Sequence, residues 1–282
     1  ITSAGFAQGG LRKQVRGSIQ IMDRFGDTTH VDEVAPGMAL AGDASRSYNA
    51  ALVASYGGSF AQVRAYRYRR DSPFAPYGAD PTVAEPYEAT DTQLLIEGGH
   101  TREIGNLTLS ARGYANLYQY SDHIIQQGAA PFDDLGQGKT YGAELRGHYN
   151  VLPDGKLGIT GGTEATYYRT YSKSYTEGDE VCADGHAACV PKDFNIEGVY
   201  TEVDGQPTKW LGFTGGLRFD NNSAIDQRLS PRAALFLSRP EHYGVKLLYA
   251  EGFRNPSAYE AFFYDNISYS QPQRLKAETI RS

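Results

Sequence analysis

The segment GKTYGAELRGHYNV at residues 138–151 carries the pattern on which the fold depends. From residue 141 onward its odd positions hold apolar or small residues, namely Tyr141, Ala143, Leu145, Gly147, Tyr149 and Val151. Its even positions hold polar or small residues, namely Gly142, Glu144, Arg146, His148 and Asn150. Because successive side chains of a strand point to opposite faces, this alternation predicts a strand with one face for lipid and one for water.

The same alternation, interrupted by clusters of Gly, Pro, Asp and Asn, predicts strands along most of the chain. The predicted strands cover 47–56, 59–70, 91–102, 106–120, 138–151, 156–172, 193–203, 208–220, 229–238 and 243–252, with a further strand near 13–22 and another beginning at 275. In 106–120 and 156–172 the charged residues again fall on the polar face, except for Arg169, which would lie at the rim. An Arg or Lys facing lipid at mid-membrane costs about 2–4 kcal/mol, so a membrane strand requires this sorting.

Connections between the predicted strands alternate between short and long. The short ones are at 57–58, 103–105, 152–155, 204–207 and 239–242, and the long ones are at 23–46, 71–90, 121–137, 173–192, 221–228 and 253–274. Outer-membrane barrels show this asymmetry, with short periplasmic turns and long extracellular loops. The pattern therefore predicts that 173–192 lies outside the cell.

The spacing of tyrosines on the apolar faces gives an estimate of the height of the expected lipid band. Tyr48 and Tyr56 share one strand, Tyr141 and Tyr149 share another, and the members of each pair are eight residues apart. At about 3.3 Å per residue and a tilt near 40°, that separation is roughly 20 Å along the membrane normal. It is close to the roughly 25 Å band between two aromatic girdles.

Composition excludes several other classes of protein. The chain of 282 residues has a net charge of -6, which argues against nucleic-acid binding. It has no apolar run of about 18 residues, so no transmembrane helix is predicted. It also lacks the short motifs of metalloproteases, serine hydrolases and phosphate-binding loops, so we expect no catalytic residues and no cofactor.

Four segments in the last third of the chain carry a family resemblance: GLRFD at 216–220, LSPRAALFLSRP at 229–240, KLLYAEGFRNPSAYEAFF at 246–263 and LKAETIRS at 275–282. In this order they resemble consecutive strands and a loop in the barrel of TonB-dependent outer-membrane receptors. YGAEL at 141–145 is similar to an earlier strand of that barrel. The resemblance implies structural roles for Arg232, Phe253, Arg254, Pro256 and Glu278.

The resemblance also implies a size and a function. The family has an N-terminal plug and a barrel of 22 strands, whereas about 10–12 are predicted here. We therefore expect an all-β fold, a partial antiparallel transmembrane β-barrel, with residues 1–282 forming part of the barrel domain and the plug and C-terminal strands missing. The implied function is TonB-coupled uptake of a scarce solute, most often a ferric siderophore. The implied partners are TonB, lipid and the cargo, in the Gram-negative outer membrane.

Two other classes stay open at this point. One is a passive porin or an adhesin-type outer-membrane barrel, which would need no energy coupling. The other is a soluble all-β carbohydrate-binding or hydrolytic domain. A sandwich would bury Arg112, Glu144, Arg146 and Glu164, which would then need charged partners, whereas a polar barrel lumen accommodates them without cost.

Candidate ligand contacts lie near the upper ends of two strands and in their loops. Aromatic rings and cations there suit an aromatic or anionic chelate, and the candidates are Tyr118, Tyr120, His123, Tyr168, Arg169, Tyr171 and Tyr175. Cys182 and Cys189 share one long loop, for which we predict a local disulfide formed in the periplasm. His186 between them does not complete a metal site, so no metal is expected.

Overall fold

A computed structural model shows that the chain forms one long antiparallel sheet. The structure describes residues 2–10, 13–24, 28–30, 39–41, 44–72, 80, 83, 87–152, 156–176, 179–180, 192–239, 242–262 and 275–282. Its strands are β1 (Thr2–Gly10), β2 (Lys13–Arg24), β3 (Thr28–His30), β4 (Ala39–Ala41), β5 (Ser45–Tyr56), β6 (Ser59–Ser72), β7 (Tyr87–Ile104), β8 (Leu107–Ile124), β9 (Phe132–Leu152), β10 (Leu157–Thr176), β11 (Asp179–Glu180), β12 (Lys192–Thr208), β13 (Leu211–Asn222), β14 (Gln227–Arg239), β15 (Tyr243–Arg254) and β16 (Glu278–Arg281). One short helix, α1 (Ala258–Phe262), follows β15.

The sheet is an up-and-down meander. Its 14 strands follow the order β1-β2-β5-β6-β7-β8-β9-β10-β12-β13-β14-β15-β16, with β11 paired to β10. The short hairpin β3-β4 forms a separate two-stranded sheet. Along this path each strand pairs in antiparallel fashion with the next long strand in the chain, which confirms the predicted fold class of a partial antiparallel transmembrane barrel.

A strand is present at each predicted position, but some bounds differ: β12 continues to Thr208, so the turn predicted at 204–207 lies at 209–210, and the last strand begins at Glu278 rather than at 275. Several strands also continue further at the end where the long loops lie. β7 begins at Tyr87 rather than at 91, β9 begins at Phe132 rather than at 138, and β10 continues to Thr176. A small apolar cluster joins the extended ends of β7, β8 and β9: Ala89 is completely buried, Ile124 is 2 % exposed, and Phe132 packs against them. This cluster is formed between strands, so periodicity within one strand could not reveal it.

The two faces of the sheet separate as the alternation predicts. On the outer face Tyr141 is paired with Tyr167, and Tyr149 with Ile159, so aromatic and aliphatic side chains form continuous rows. Leu145, midway between the two tyrosines of β9, is 60 % exposed because no protein covers this face. On the inner face Glu144 lies opposite Arg112.

Helical structure is minimal. α1 has five residues, and among the described residues no helix is long and apolar enough to cross a membrane.

The separation of the faces predicts opposite outcomes for substitutions at two neighbouring positions. Leu145→Arg places a charge at the centre of the apolar face and should destabilise the folded protein by about 2–4 kcal/mol. Arg146→Leu changes the charge one residue further along, on the polar face, and should have little effect. The measurement is the amount of folded protein in isolated outer membranes, from its altered gel mobility before boiling. Equal losses for both variants would mean that the two faces are wrongly assigned.

Candidate functional site

Charged side chains cross the middle of the inner face in a row that we call the charge belt: Glu97, Arg112, Glu144, Glu164, Glu202, Arg218, Asp220 and Arg232. In its first half Arg112 Nε donates to Glu144 Oε2 at 2.5 Å, and the same guanidinium lies 3.4 Å from Glu97 Oε1. Gln62 on β6 donates to the other side of Glu97. The belt therefore joins four neighbouring strands, β6 to β9, through side chains alone.

The second half of the belt is built on two arginines. Arg218 donates to Glu164 and, at 2.6 Å, to Asp220 Oδ1. Asp220 is only 3 % exposed, so its charge would be costly without this partner. Arg232 lies 2.5 Å from Glu202 Oε2. Belt charges are thus largely compensated within the wall, which suits a water-filled lumen more than a tight anion or cation site.

Two tyrosines reach across an intervening strand because a glycine lies beneath each ring. Tyr114 on β8 passes over Gly142 on β9, and its hydroxyl lies 3.2 Å from Thr166 Oγ1 on β10. Tyr200 on β12 passes over Gly162 on β10 and donates to Glu144 Oε1 on β9 at 2.9 Å. A Cβ atom at either glycine would lie inside van der Waals contact of the ring.

The arginines of the belt use the same arrangement. Arg218 on β13 crosses Gly198 on β12, where a Cβ would lie 2.6 Å from a guanidinium nitrogen, and so reaches Glu164 on β10. Arg232 on β14 lies directly opposite Gly216 on β13 and binds Glu202 on β12. We call these four contacts the glycine crossings. Each links a strand to its second neighbour, with which it shares no backbone hydrogen bonds.

Three of the seven predicted ligand contacts lie on the inner face. Tyr118 donates to Asp91, and Tyr120 Oη lies 2.7 Å from both Tyr87 Oη and Asp122 Oδ2. Tyr168 is two strands away on β10.

Two carboxylates continue the polar network above the lipid band. The Asp134 amide donates to Asp122 Oδ1 at 3.0 Å, and Ser174 donates to Asp134. Burial raises the pKa of the Asp122 carboxyl and that of the Asp134 carboxyl. The extended ends of β8, β9 and β10 are therefore joined by side-chain hydrogen bonds, and the apolar cluster joins those of β7, β8 and β9.

The other four predicted contacts point to the outer face. His123 Nδ1 lies 2.7 Å from Asp133 Oδ1, and Tyr175 is paired with Asp133 across the strands. Arg169 lies 3.8 Å from Asp193, and Lys173 lies over the Tyr171 ring at 5.3 Å. The structure thus does not bring the seven residues into one surface, because residues one apart on a strand face opposite sides.

An aromatic cluster on the inner face was not found from the sequence. Tyr168 stacks on Phe194 of β12 with centroids 4.8 Å apart and ring planes within 9°. Phe262 of α1 lies 6.2 Å from Phe194, and Lys192 Nζ lies 5.1 Å from the Phe262 ring. The only signal within the sequence is that Lys192 and Phe194 are at polar-face positions of β12. Phe262 comes from a distant loop that folds back over this wall.

Arg254 is the centre of the contacts that hold α1. Its guanidinium binds Glu278 of β16 through two hydrogen bonds of 3.0 and 3.1 Å, and it binds Glu260 at 2.9 Å. The Ser257 amide donates to Glu260 Oε2 at 2.7 Å and the Glu260 amide donates to Ser257 Oγ at 3.2 Å, which is a capping box at the start of α1. The hydrogen bond from Arg254 lowers the pKa of Glu260 from 4.5 to about 2.

The residues of the family motif take part in these contacts or flank them, and their structural roles stay a prediction. Arg254 and Glu278 bind each other, Arg232 belongs to the charge belt, and the half-buried Phe253 and Pro256 flank Arg254 at the exit from β15. Cys182 and Cys189 lie outside the described residues, so their disulfide stays a prediction. Within the described part of the chain, no group of three or more His, Cys, Asp or Glu side chains is arranged to hold a metal ion.

Comparison with solved structures identifies the fold. The ferric enterobactin receptor of Pseudomonas aeruginosa superposes on 92 % of this chain with a TM-score of 0.69 at 14 % identity, over 42 % of its own chain. The chain has the fold of the barrel of TonB-dependent receptors. The hemophore receptor of Serratia marcescens, solved with its hemophore and heme, matches 99 % of this chain and 47 % of its own, with a TM-score of 0.68 at 12 % identity.

A copper transporter shares this receptor-barrel fold. It matches 92 % of this chain and 45 % of its own, with a TM-score of 0.63 at 12 % identity. The chain therefore spans less than half the length of each of these three proteins. No protein-family model and no curated protein sequence matches it.

The glycine crossings predict an unusual sensitivity to a single methyl group. Gly162→Ala should destabilise the barrel wall by about 1–3 kcal/mol, because the new Cβ overlaps the Tyr200 ring. Gly215→Ala is the matched control, since a Cβ there meets nothing within 4 Å. The measurement is the temperature at which the folded gel band disappears. In a Tyr200→Ala background the Gly162→Ala substitution should cost less, because only the 2.9 Å approach to the Leu145 backbone oxygen remains, and an unchanged cost there would contradict this explanation.

The Arg254 contacts predict a pH range for the order of α1. Because the pKa of Glu260 is lowered, its contribution is present above the ordinary value of 4.5 and is lost only as the pH falls through about 2. Hydrogen exchange of residues 255–262 should therefore remain slow at about pH 3.5 in the unsubstituted protein. In Arg254→Gln the protection of these amides, taken relative to the intrinsic exchange rate at each pH, should fall as the pH falls from about 5 to 3.5, whereas Arg102→Gln, at the other end of the sheet, should not change it. Equal exchange in all three proteins would rule out this role for Arg254.

Proposed function

We propose that the chain is part of the wall of an outer-membrane receptor that imports a scarce solute by TonB-coupled transport. The observation that carries the proposal is the combination of an apolar outer face, a polar inner face and the receptor-barrel fold over nearly the whole chain. The charge belt supports a hydrated lumen. The extended strand ends above the lipid band provide an inner surface for an external solute.

We propose further that the functional barrel is larger than this sheet, with a plug and additional strands elsewhere in the protein. Among the described residues β1 pairs only with β2, and β16 pairs only with β15. In lipid each unpaired backbone group costs several kcal/mol, so both edges need partner strands. The greater length of the matched receptors agrees with this arrangement. TonB would then act through the region that holds the plug.

For the cargo we propose a ferric siderophore. Two of the matched proteins are named for iron in a chelate, ferric enterobactin in one and heme in the other. The inner wall offers the Tyr168 and Phe194 rings, with Lys192 beside Phe262, and such a surface could contact an aromatic or anionic chelate. The seven residues proposed from the sequence divide between two faces, so Tyr118, Tyr120 and Tyr168 remain the candidates for this role.

Uptake of radiolabelled cargo tests the transport function. Deleting the gene should abolish growth on one ferric siderophore as sole iron source, and removing TonB should abolish the same uptake in the parent strain. Uptake that survives the loss of TonB would instead indicate a passive pore. A deletion with no effect on uptake of any ferric siderophore, heme, copper or cobalamin would contradict the proposal and favour an adhesin.

A pair of adjacent substitutions tests the inner wall as the cargo surface. Tyr168→Ala should raise the cargo concentration needed for half-maximal uptake by about 2- to 10-fold, the range expected for the loss of one aromatic contact. Tyr167→Ala is the matched control, because this neighbouring tyrosine faces outward and donates to Asp193 at 2.6 Å. Similar effects of the two substitutions would show that Tyr168 acts through folding and not through contact with the cargo.

A further inference from the structure

Two cations are placed directly opposite each other on the outer face. Lys139 of β9 is paired in register with Arg169 of β10. Tyr141 and Tyr167 form the next pair on the outer face of the same two strands, and this pair lies closer to the centre of the lipid band. Like charges at directly opposite positions destabilise a sheet, so this pair requires compensation.

A second pair of opposed cations on the outer face shows how such compensation is made within the protein. Arg46 of β5 is paired with Arg69 of β6. Arg46 lies 2.7 Å from Asp23, and Arg69 lies 2.8 Å from Glu88 and 3.6 Å from Asp71. Each of these arginines thus has a carboxylate of its own.

Lys139 has no such carboxylate. Its neighbours on the outer face are Leu117 and Arg169 across the strands, and Gln137 and Tyr141 along its own strand. None of these is acidic, and the described residues give Lys139 no ion-pair partner.

Arg169 is only partly compensated by its one acidic neighbour. Asp193 lies 3.8 Å from Arg169 and already accepts a hydrogen bond of 2.6 Å from the Tyr167 hydroxyl. Lys173 lies four residues beyond Arg169 on the same face of β10, over the Tyr171 ring. It adds another positive charge to this surface. The arginine side chain is 66 % exposed, so its guanidinium is available to a further anion.

We propose that Lys139 and Arg169 bind the phosphate of a phosphorylated glycolipid in the outer leaflet of the membrane. Two residues along a strand tilted near 40° is roughly 5 Å of height, which places both cations just above the tyrosine row, at the depth of lipid headgroups. Arginine binds phosphate through two parallel hydrogen bonds and lysine acts as a point charge. The proposal depends on the outer-membrane fold and is independent of the cargo and of TonB.

Retention of a defined lipid by the full-length protein tests the proposal. The purified protein is reconstituted in phosphatidylcholine nanodiscs that contain bisphosphoryl lipid A, and the lipid A that stays bound after detergent exchange is measured by mass spectrometry. Lys139→Gln/Arg169→Gln should retain about fivefold less than the unsubstituted protein, as expected for losing two charge-assisted contacts. Arg46→Gln/Arg69→Gln removes the same charge from the compensated pair and should retain the normal amount.

Two further arms determine whether phosphate is the group recognised. Asp193→Asn removes the competing carboxylate while keeping an acceptor for Tyr167, so it should increase retention. Lipid A without its phosphates should be retained equally by all variants. Equal retention of bisphosphoryl lipid A by the double variant and the unsubstituted protein would overturn the proposal. If the double variant does not fold, Lys139→Gln alone should lower retention by about twofold.

Discussion

Pairing of backbone hydrogen-bonding groups is the constraint from which the rest of this structure follows. In a hydrocarbon environment no water is present to satisfy an amide or a carbonyl, so a strand must be paired along both edges. Between its two edges the meander meets this requirement strand by strand: the ladders from β1 to β15 are continuous over most of their length, and β16 adds four residue pairs to β15. Once the ladders are fixed, each side chain is assigned to one face of the sheet. Residues that face lipid must then be apolar, and residues that face the lumen can be polar.

Sorting by face leaves the inner side with a different problem, since its charged groups are close together and partly withdrawn from solvent. The charge belt solves it by pairing acids and bases across strands, and the glycine crossings extend the pairing to second neighbours. Small residues on this face are therefore as informative as large ones. A glycine marks the path of a long side chain that belongs to the adjacent strand.

Much of the fold could be predicted from the sequence because a strand reveals itself by a local period of two. Tyr141, Leu145 and Tyr149 define the apolar face without any knowledge of their neighbours. Features that depend on contacts between distant segments could not be found this way. The Gly-rich strand β1, the extension of β9 to Phe132, and the packing of Phe194 between Tyr168 and Phe262 all arise from contacts between separate segments.

Candidate site residues show the same limit more sharply. Selecting aromatic and basic residues near strand ends gave a set that shares a height but not a face, so His123, Arg169, Tyr171 and Tyr175 point away from Tyr118, Tyr120 and Tyr168. Arg112, Glu144 and Glu164 could be assigned to the polar face, but the ion pairs of the charge belt could not be predicted because its members are spread along the chain and become neighbours only in the sheet.

The glycine crossings also limit how the wall can slide. A strand that slips by two residues keeps its inward and outward faces, so lipid and water alone do not oppose that movement. At β10 such a slip would place Thr160 or Glu164 beneath the Tyr200 ring, in the space that Gly162 now leaves open. The crossings therefore select one register among those that polarity would allow. They fix the shear of the wall, in addition to the inward and outward facing of its side chains that polarity fixes.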